Sequence, residues 1–206
     1  MSTLTVGTIA EKVTDAGVAV DGVTLKDGGA VFTSAVTATD NTVDLGASGT
    51  RFKDIYLSGG AFLGGTGSAN KISDYEEGDW TPTLSTNNGS SASASMTQSS
   101  YTKIGRMVYI TARVSNINTS GTTSSSELRI TGLPFTIDTA TTNGSVLSDN
   151  VTFQGSRTQL TLEFNTGEFL RFMQMASASS ETPTDHGDIN SGVTDIFFSG
   201  FYFTSA

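Results

Sequence analysis

Apolar and polar residues alternate in three segments of the C-terminal two thirds of the chain. The longest covers residues 108–114, and shorter ones cover 128–130 and 160–164. A period of two residues is typical of a β-strand with one buried and one solvated face. Turn-rich stretches separate these segments, at 86–91, 116–126, 139–145 and 176–191. Several short strands with turns between them, and no helical period, predict an all-β fold built as an antiparallel β-sandwich.

Two further segments carry large side chains on both faces. Residues 196–203 contain four phenylalanines and a tyrosine, and residues 170–175 contain a leucine, a phenylalanine and two methionines. A strand loaded on both faces is either central in a sandwich or buried against a neighbouring subunit. Because the rest of the chain offers only a modest core, we expect an interface between copies. The residues predicted to form it are Leu170, Phe172, Phe197, Phe201 and Phe203.

Composition changes near residue 72. Residues 1–72 hold 12 of the 23 glycines but only four of the aromatic residues. Short extended pieces are expected at 4–9, 18–25, 30–36 and 53–57, separated by glycine turns. So few large side chains make a marginal core for one chain, whereas several copies wound about one axis can share a narrow core. We therefore expect a trimeric β-stalk at 1–72 followed by a sandwich domain at 73–206, with a flexible linker as the alternative reading of 1–72.

Charge and composition exclude several classes of partner. The net charge is −9 with only 11 basic residues, which gives no electrostatic footprint for nucleic acid or for an anionic membrane surface. The absence of cysteine excludes disulfides and thiolate metal sites. The sequence contains no run of about 18 apolar residues, so it does not predict a membrane-spanning segment. The first residues lack the basic region and following apolar region of a secretory signal peptide. We therefore expect the protein to be made in a cytoplasm.

Six sequence pieces form an ordered set along the chain. One is DLGASGTRFKDIYLSGG at 44–60. The others, in chain order, are IAEKVTDAGVAVDGVTLKDG at 9–28, YEEGDWTPTL at 75–84, YTKIGRMVYI at 101–110, ITGLPF at 130–135 and DIFFSGFYFT at 195–204. Together these pieces reach from about residue 9 to the C-terminal end of the sequence. In this order they resemble tail-fibre-like proteins of tailed bacteriophages.

The resemblance implies a trimeric virion fibre with an interwoven β-stalk and a jelly-roll-like β-sandwich at its tip. The N-terminal segment would dock onto another virion protein, in the tail, near the portal or in the capsid. The tip would contact a host-surface glycan or protein. Only 72 residues precede the tip, which favours a short tail fibre or spike, or a capsid decoration fibre without a receptor role, over a long tail fibre. The expected location is the virion surface.

Candidate catalytic or metal-binding residues are few. His186, the only histidine, is expected in a solvated polar loop, with a catalytic role or a metal site formed by three copies on a trimer axis as alternatives. The acidic residues Asp74, Glu76, Glu77 and Asp79 suggest a solvated hinge, with a calcium site or a glycan depolymerase as alternatives. Their neighbour Trp80 is expected to fill the core rather than to stack on a sugar. Since no nucleophile–base pairing accompanies these residues, we expect a protein that is not an enzyme and uses no cofactor.

Three polar loops are the predicted host-contact surface, because small polar residues suit adaptable binding. They cover 87–95, 118–126 and 181–191. The candidate contact residues are Asn87, Asn88, Ser90, Asn118, Thr119, Thr122, Asp185, His186 and Asp188.

Overall fold

The computed structural model describes residues 34–38, 43–89, 92–140, 144–177 and 179–205. The chain divides into two compact units, 1–55 and 56–206, and the domain boundary expected at residue 72 stays a prediction. The expected stalk strands at 4–9 and 18–25, and most of the one at 30–36, lie outside the described residues. The piece expected at 53–57 is described and joins no sheet. The trimeric stalk stays a prediction.

The described residues of the second unit form twelve strands and two short 3₁₀ turns, at Ser68–Asn70 and His186–Asp188. The strands are β1 (Ala61–Phe62), β2 (Lys71–Ile72), β3 (Tyr75–Asp79), β4 (Thr83–Thr86), β5 (Ser93–Ile104), β6 (Met107–Asn118), β7 (Leu128–Thr131), β8 (Gly144–Asp149), β9 (Gln159–Asn165), β10 (Phe169–Met175), β11 (Thr182–Pro183) and β12 (Thr194–Phe203).

The strands form two larger antiparallel sheets and a small β1–β2 ladder. One sheet has the order β3–β5–β6–β12–β8. The other has the order β4–β7–β10–β9, and β11 extends β7 along the same edge of β10. The predicted all-β class and antiparallel sandwich are therefore confirmed.

The core lies between the two sheets and follows the predicted alternation. In β6 the residues Val108, Ile110, Ala112 and Val114 are buried, while Tyr109 between them is exposed. Burial of such side chains contributes about 1.5–3 kcal/mol each relative to exposure. The same alternation holds in β9 and in β12, where every second residue faces the core.

Aromatic side chains fill the centre of the core. The Phe198 ring meets the edges of Trp80 and Phe172, with centroids 6.5 and 5.6 Å apart. Tyr202 is fully buried, and its hydroxyl donates to the Phe135 carbonyl oxygen at 2.9 Å. Burial raises the pKa of this phenol, so it stays a neutral donor across the physiological range.

Two residues predicted to contact another copy lie instead in the chain's own core. Leu170 and Phe172 are fully buried. Their strand, β10, has neighbours on both edges, and these two side chains face the other sheet. A strand with large side chains on both faces is either central in a sandwich or buried against another subunit. For β10 the first interpretation is correct. The assignment of Leu170 and Phe172 to an interface is therefore wrong.

Candidate functional site

The outer face of the five-stranded sheet carries an exposed row of large apolar side chains. Phe203 of β12 pairs with Met107 of β6, Met107 with Ile104 of β5, and Ile104 with Tyr75 of β3. Their exposed fractions are 38%, 39%, 47% and 58%. Directly paired residues project from the same face of a sheet, so these four side chains form one continuous line, the apolar row.

Two more aromatic residues extend the apolar row along the strands. Phe201 pairs with Tyr109, and the Phe201 ring lies edge-on to Phe203 with centroids 5.9 Å apart. Phe201 and Phe203, both predicted interface residues, thus lie on the outer face, together with Phe197. The Arg113 guanidinium lies 4.5 Å above the Phe197 ring, so this ring is partly covered within the chain.

The predicted host-contact loops meet at one end of the sandwich. The Asn88 amide donates to the Ser126 hydroxyl at 2.6 Å, which joins the first loop to the second. The Ser191 hydroxyl donates to Asn118 Oδ1 at 3.3 Å, which joins the third loop to the second. The first loop is shorter than expected because β5 begins at Ser93.

The position of His186 corrects the sequence prediction. Only 2% of its surface is exposed, so it is not a solvated loop histidine and cannot contact a host molecule. Its Nδ1 lies 2.7 Å from the Thr122 hydroxyl, and its buried Nε2 has no hydrogen-bond partner among the described residues. Burial lowers the pKa of His186, which favours the neutral ring. The sequence of this loop is polar, which suggested a solvated position. Backbone hydrogen bonds join it to the 118–126 loop, and the two loops together enclose the imidazole ring.

Asp188 is also buried, at 7% exposure, and is likewise wrong as a contact residue. One of its carboxylate oxygens accepts hydrogen bonds from the side-chain amides of Gln154 and Gln174, both at 2.7 Å. It also accepts from the Asp185 backbone N–H at 2.9 Å. Asp188 therefore stabilises the 181–191 loop from inside.

Glu127 connects this loop region to the charged outer face of the other sheet. Burial alone would raise the pKa of Glu127, but hydrogen bonds from Arg129 and Arg171 lower it overall. Arg171 also pairs with Glu163 at 3.0 Å. Asp185 has no such cation among the residues that the structure describes, and burial, followed by the charges of Asp188 and Glu127, raises its pKa.

The remaining candidate residues differ in accessibility. Asn87, Asn88 and Asn118 are exposed, whereas Thr119, Thr122 and Asp185 are half-buried. Ser90 lies outside the described residues. The three exposed asparagines hydrogen-bond within the loop cluster, since Asn87 Oδ1 accepts from the Glu127 backbone N–H at 3.1 Å. Their role as host contacts stays a prediction.

The acidic residues before Trp80 lie in strand β3 or next to it, and the carboxylates of Asp74 and Glu76 have local partners. Glu76 accepts from the Tyr101 hydroxyl, and Asp74 pairs with Lys103. Trp80 is 7% exposed and belongs to the core, as expected. Throughout the described ranges, no three acidic or histidine side chains form a group that could hold a metal ion. Nor does that part of the chain contain a helix long and apolar enough to cross a membrane.

The sequence did not point to Met107, Tyr109, Ile104 or Tyr75 as surface residues of one continuous row. The alternation in β6 gives a usable signal for Met107 and Tyr109, which occupy its outer positions.

Comparison of the chain with protein-family models, with curated proteins and with solved structures found no match.

Proposed function

We propose that the protein is a structural subunit of a bacteriophage particle, a short trimeric tail fibre or spike that attaches to the host surface. The apolar row is the observation that carries this proposal. A folded chain that exposes Phe203, Met107, Ile104 and Tyr75 in one line offers a surface suited to burial against another protein. The row also contains no charged side chain.

A second copy is the partner that we propose for this row. The net charge of −9 opposes the approach of copies, so a contact between them is expected where the surface carries no charge. The apolar row is such a surface, and the adjoining Phe201 and Tyr109 enlarge it. A homotrimer joined here would present three sandwiches together, so that weak host contacts add through avidity.

The role in the virion rests on the sequence resemblance, above all on the segment at 44–60 and the pieces within the sandwich. The all-β sandwich is the type of tip domain that this resemblance implies. The N-terminal segment would hold the subunit on another virion protein.

Immunogold labelling of intact particles tests this proposal. Antibody raised against the sandwich, residues 56–206, should label the tail if the protein is a tail fibre. Label confined to the capsid would assign it to the capsid decoration class, with no receptor role expected. Purified particles that carry no label and no copy of the chain by mass spectrometry would contradict the virion role.

A further inference from the structure

A second row crosses the outer face of the five-stranded sheet, and it consists of short polar side chains. Ser145 of β8 pairs with Ser199 of β12, Ser199 with Thr111 of β6, and Thr111 with Ser100 of β5. Asp79 of β3 pairs with Ser100 and ends the row. Neighbouring strands lie about 4.8 Å apart, so the row runs about 19 Å across all five strands.

Larger side chains flank this row on both sides at two of its strands, β12 and β6. Two positions along the strands in one direction, Leu147, Phe197 and Arg113 form a paired line. Two positions in the other direction lie Phe201 and Tyr109. Short side chains between two lines of long ones form a trough, which we call the hydroxyl trough.

The surface is concave along this trough. One depression of about 330 Å³ is lined by Thr111, Ser145 and Ser199, among others. A second, of about 670 Å³, is lined by Ser100 and Thr111 and reaches the β3–β4 crossover at Trp80 and Pro82. Both volumes lie in the range of small-molecule sites. The two depressions share Thr111 and so follow the row.

Gln98 also lines both depressions, and its backbone is strained. It has a φ of 54° at an irregularity in the β5–β6 register, between Thr97 and Ser100. The Thr111 hydroxyl donates to its carbonyl oxygen at 3.0 Å, which holds this conformation. The Gln98 side-chain amide makes no hydrogen bond to any described residue. Strained bulge residues with free polar groups are common at ligand sites.

The chemistry of the trough selects against an anionic ligand. Among the flanking and floor residues named above, Arg113 is the only cation. Its guanidinium lies 2.8 Å from the Asp195 carboxylate and stacks on the Phe197 ring. Asp79 is the only charge in the floor. Hydroxyls and an amide supply both donors and acceptors, and the apolar walls match the C–H surfaces of a sugar ring.

The position of the trough also selects against a peptide strand. An extended peptide binds by pairing with the free backbone groups of a sheet edge. The floor residues Ser199 and Thr111 lie on interior strands, whose backbone groups already pair with neighbours on both sides. Recognition here must therefore use side chains.

We propose that the hydroxyl trough binds a linear neutral oligosaccharide, with the Ser145–Ser199–Thr111–Ser100 row and the Gln98 amide hydrogen-bonding its hydroxyls. This proposal deepens the proposed attachment function by naming its ligand class and site. It places the glycan contact on the sheet face rather than on the loops at the end of the sandwich. The apolar row lies four positions along β12 from Ser199, about 13 Å away, and Phe201 and Tyr109 lie between the row and the trough floor.

Affinity electrophoresis of the full chain tests the proposal. The neutral probes are dextran, mannan, xylan and β-glucan, and alginate serves as the anionic probe. Ser100→Tyr adds bulk to the exposed floor, and Ser95→Tyr adds the same bulk at an exposed position of β5 outside the trough. Because Ser100 hydrogen-bonds Thr111, the double variant Ser145→Ala/Ser199→Ala provides a second test with less risk to folding.

We expect at least one neutral probe to retard the protein. Ser100→Tyr should weaken this retardation at least tenfold, the double variant should also weaken it, and Ser95→Tyr should leave it unchanged. The proposal would be overturned if no neutral probe retarded the protein, or if alginate alone did so. Equal retardation of the wild type and both trough variants would also overturn it. Specific retardation of a protein that is absent from virions would support the trough and contradict only the virion role.

Discussion

The indole nitrogen of Trp80 donates a 3.0 Å hydrogen bond to the backbone carbonyl oxygen of Thr111, whose side chain lies in the floor of the hydroxyl trough. Trp80 thus joins the β3–β4 crossover to the centre of the five-stranded sheet. The same ring packs against Phe198 in the core. One buried side chain therefore supports both the packing between sheets and the strand that carries the trough.

Replacing Trp80 by phenylalanine should lower the free energy of unfolding. The variant keeps an aromatic ring in the core but loses the bond to Thr111, and a buried hydrogen bond contributes about 0.5–1.5 kcal/mol. Urea unfolding followed by circular dichroism measures the change. Thr111→Val keeps the carbonyl acceptor and the Trp80 bond but loses the hydroxyl bond to Gln98, so its change in stability measures that second bond separately. Equal stability of Trp80→Phe and the wild type would show that this bond contributes nothing.

Gly144 should not tolerate a side chain. A Cβ there would lie 2.5 Å from Leu162 Cδ1 and 2.6 Å from the Ser199 carbonyl oxygen, in a closely packed region between β8 and the core. Gly144→Ala should therefore destabilise the fold by about 1–3 kcal/mol through overpacking. Gly59→Ala is the matched control, because no atom lies within 4 Å of its added Cβ. Thermal unfolding should separate the two variants, and equal melting temperatures would contradict the packing described here.

Leu170 should affect stability and not association. Its fully buried side chain makes Leu170→Ala a cavity-forming change, for which about 2–5 kcal/mol of destabilisation is expected. Denaturant unfolding measures this loss, and light scattering under native conditions should give the wild-type mass. A variant with full stability and a reduced mass would restore the interface role that the core position argues against.

Acid should destabilise the fold through His186. Because burial lowers its pKa, the unfolded chain binds a proton at a pH where the folded chain does not. This contribution to stability is complete above the ordinary histidine pKa of about 6.5 and is lost as the pH falls below it. Asp185 acts with the opposite sign at lower pH, since its raised pKa makes the folded state bind the proton first.

Comparison of the wild type with His186→Gln isolates this contribution. Since the chain has no other histidine, the variant removes all histidine titration while keeping a side chain able to hydrogen-bond Thr122. Melting temperatures between pH 7.5 and 5.5 should fall more steeply for the wild type. Parallel pH profiles would mean that His186 titrates alike in the folded and unfolded states.

The sequence predicted the elements whose burial follows a simple period. The alternation at 108–114 placed β6 and its buried face correctly, and the pattern at 160–164 did the same for β9. Strand β5 was not recognised, because its inner face begins with small residues such as Ala94 and the Gln98 irregularity interrupts its period. The core position of Trp80 also followed from residue type.

The errors have a common physical cause, which is that burial depends on neighbours distant in sequence. His186 lies in a polar loop, but Thr122 and the chain around it enclose the ring. The hydroxyl trough depends on the register of strands that are far apart in the chain, with Ser145, Ser199, Thr111 and Ser100 in pairing positions. No single segment contains that information.

The solution mass of the full-length chain tests most directly whether the protein is a trimeric subunit joined through its apolar row. Light scattering should give a mass near three times the 21.4 kDa of one chain. Phe203→Glu, which places a charge in the apolar row, should reduce that mass, whereas Leu147→Glu, at an exposed apolar position elsewhere on the same face, should not. A wild-type monomer, or a trimer that Phe203→Glu leaves intact, would contradict the assignment of the apolar row as the contact between copies.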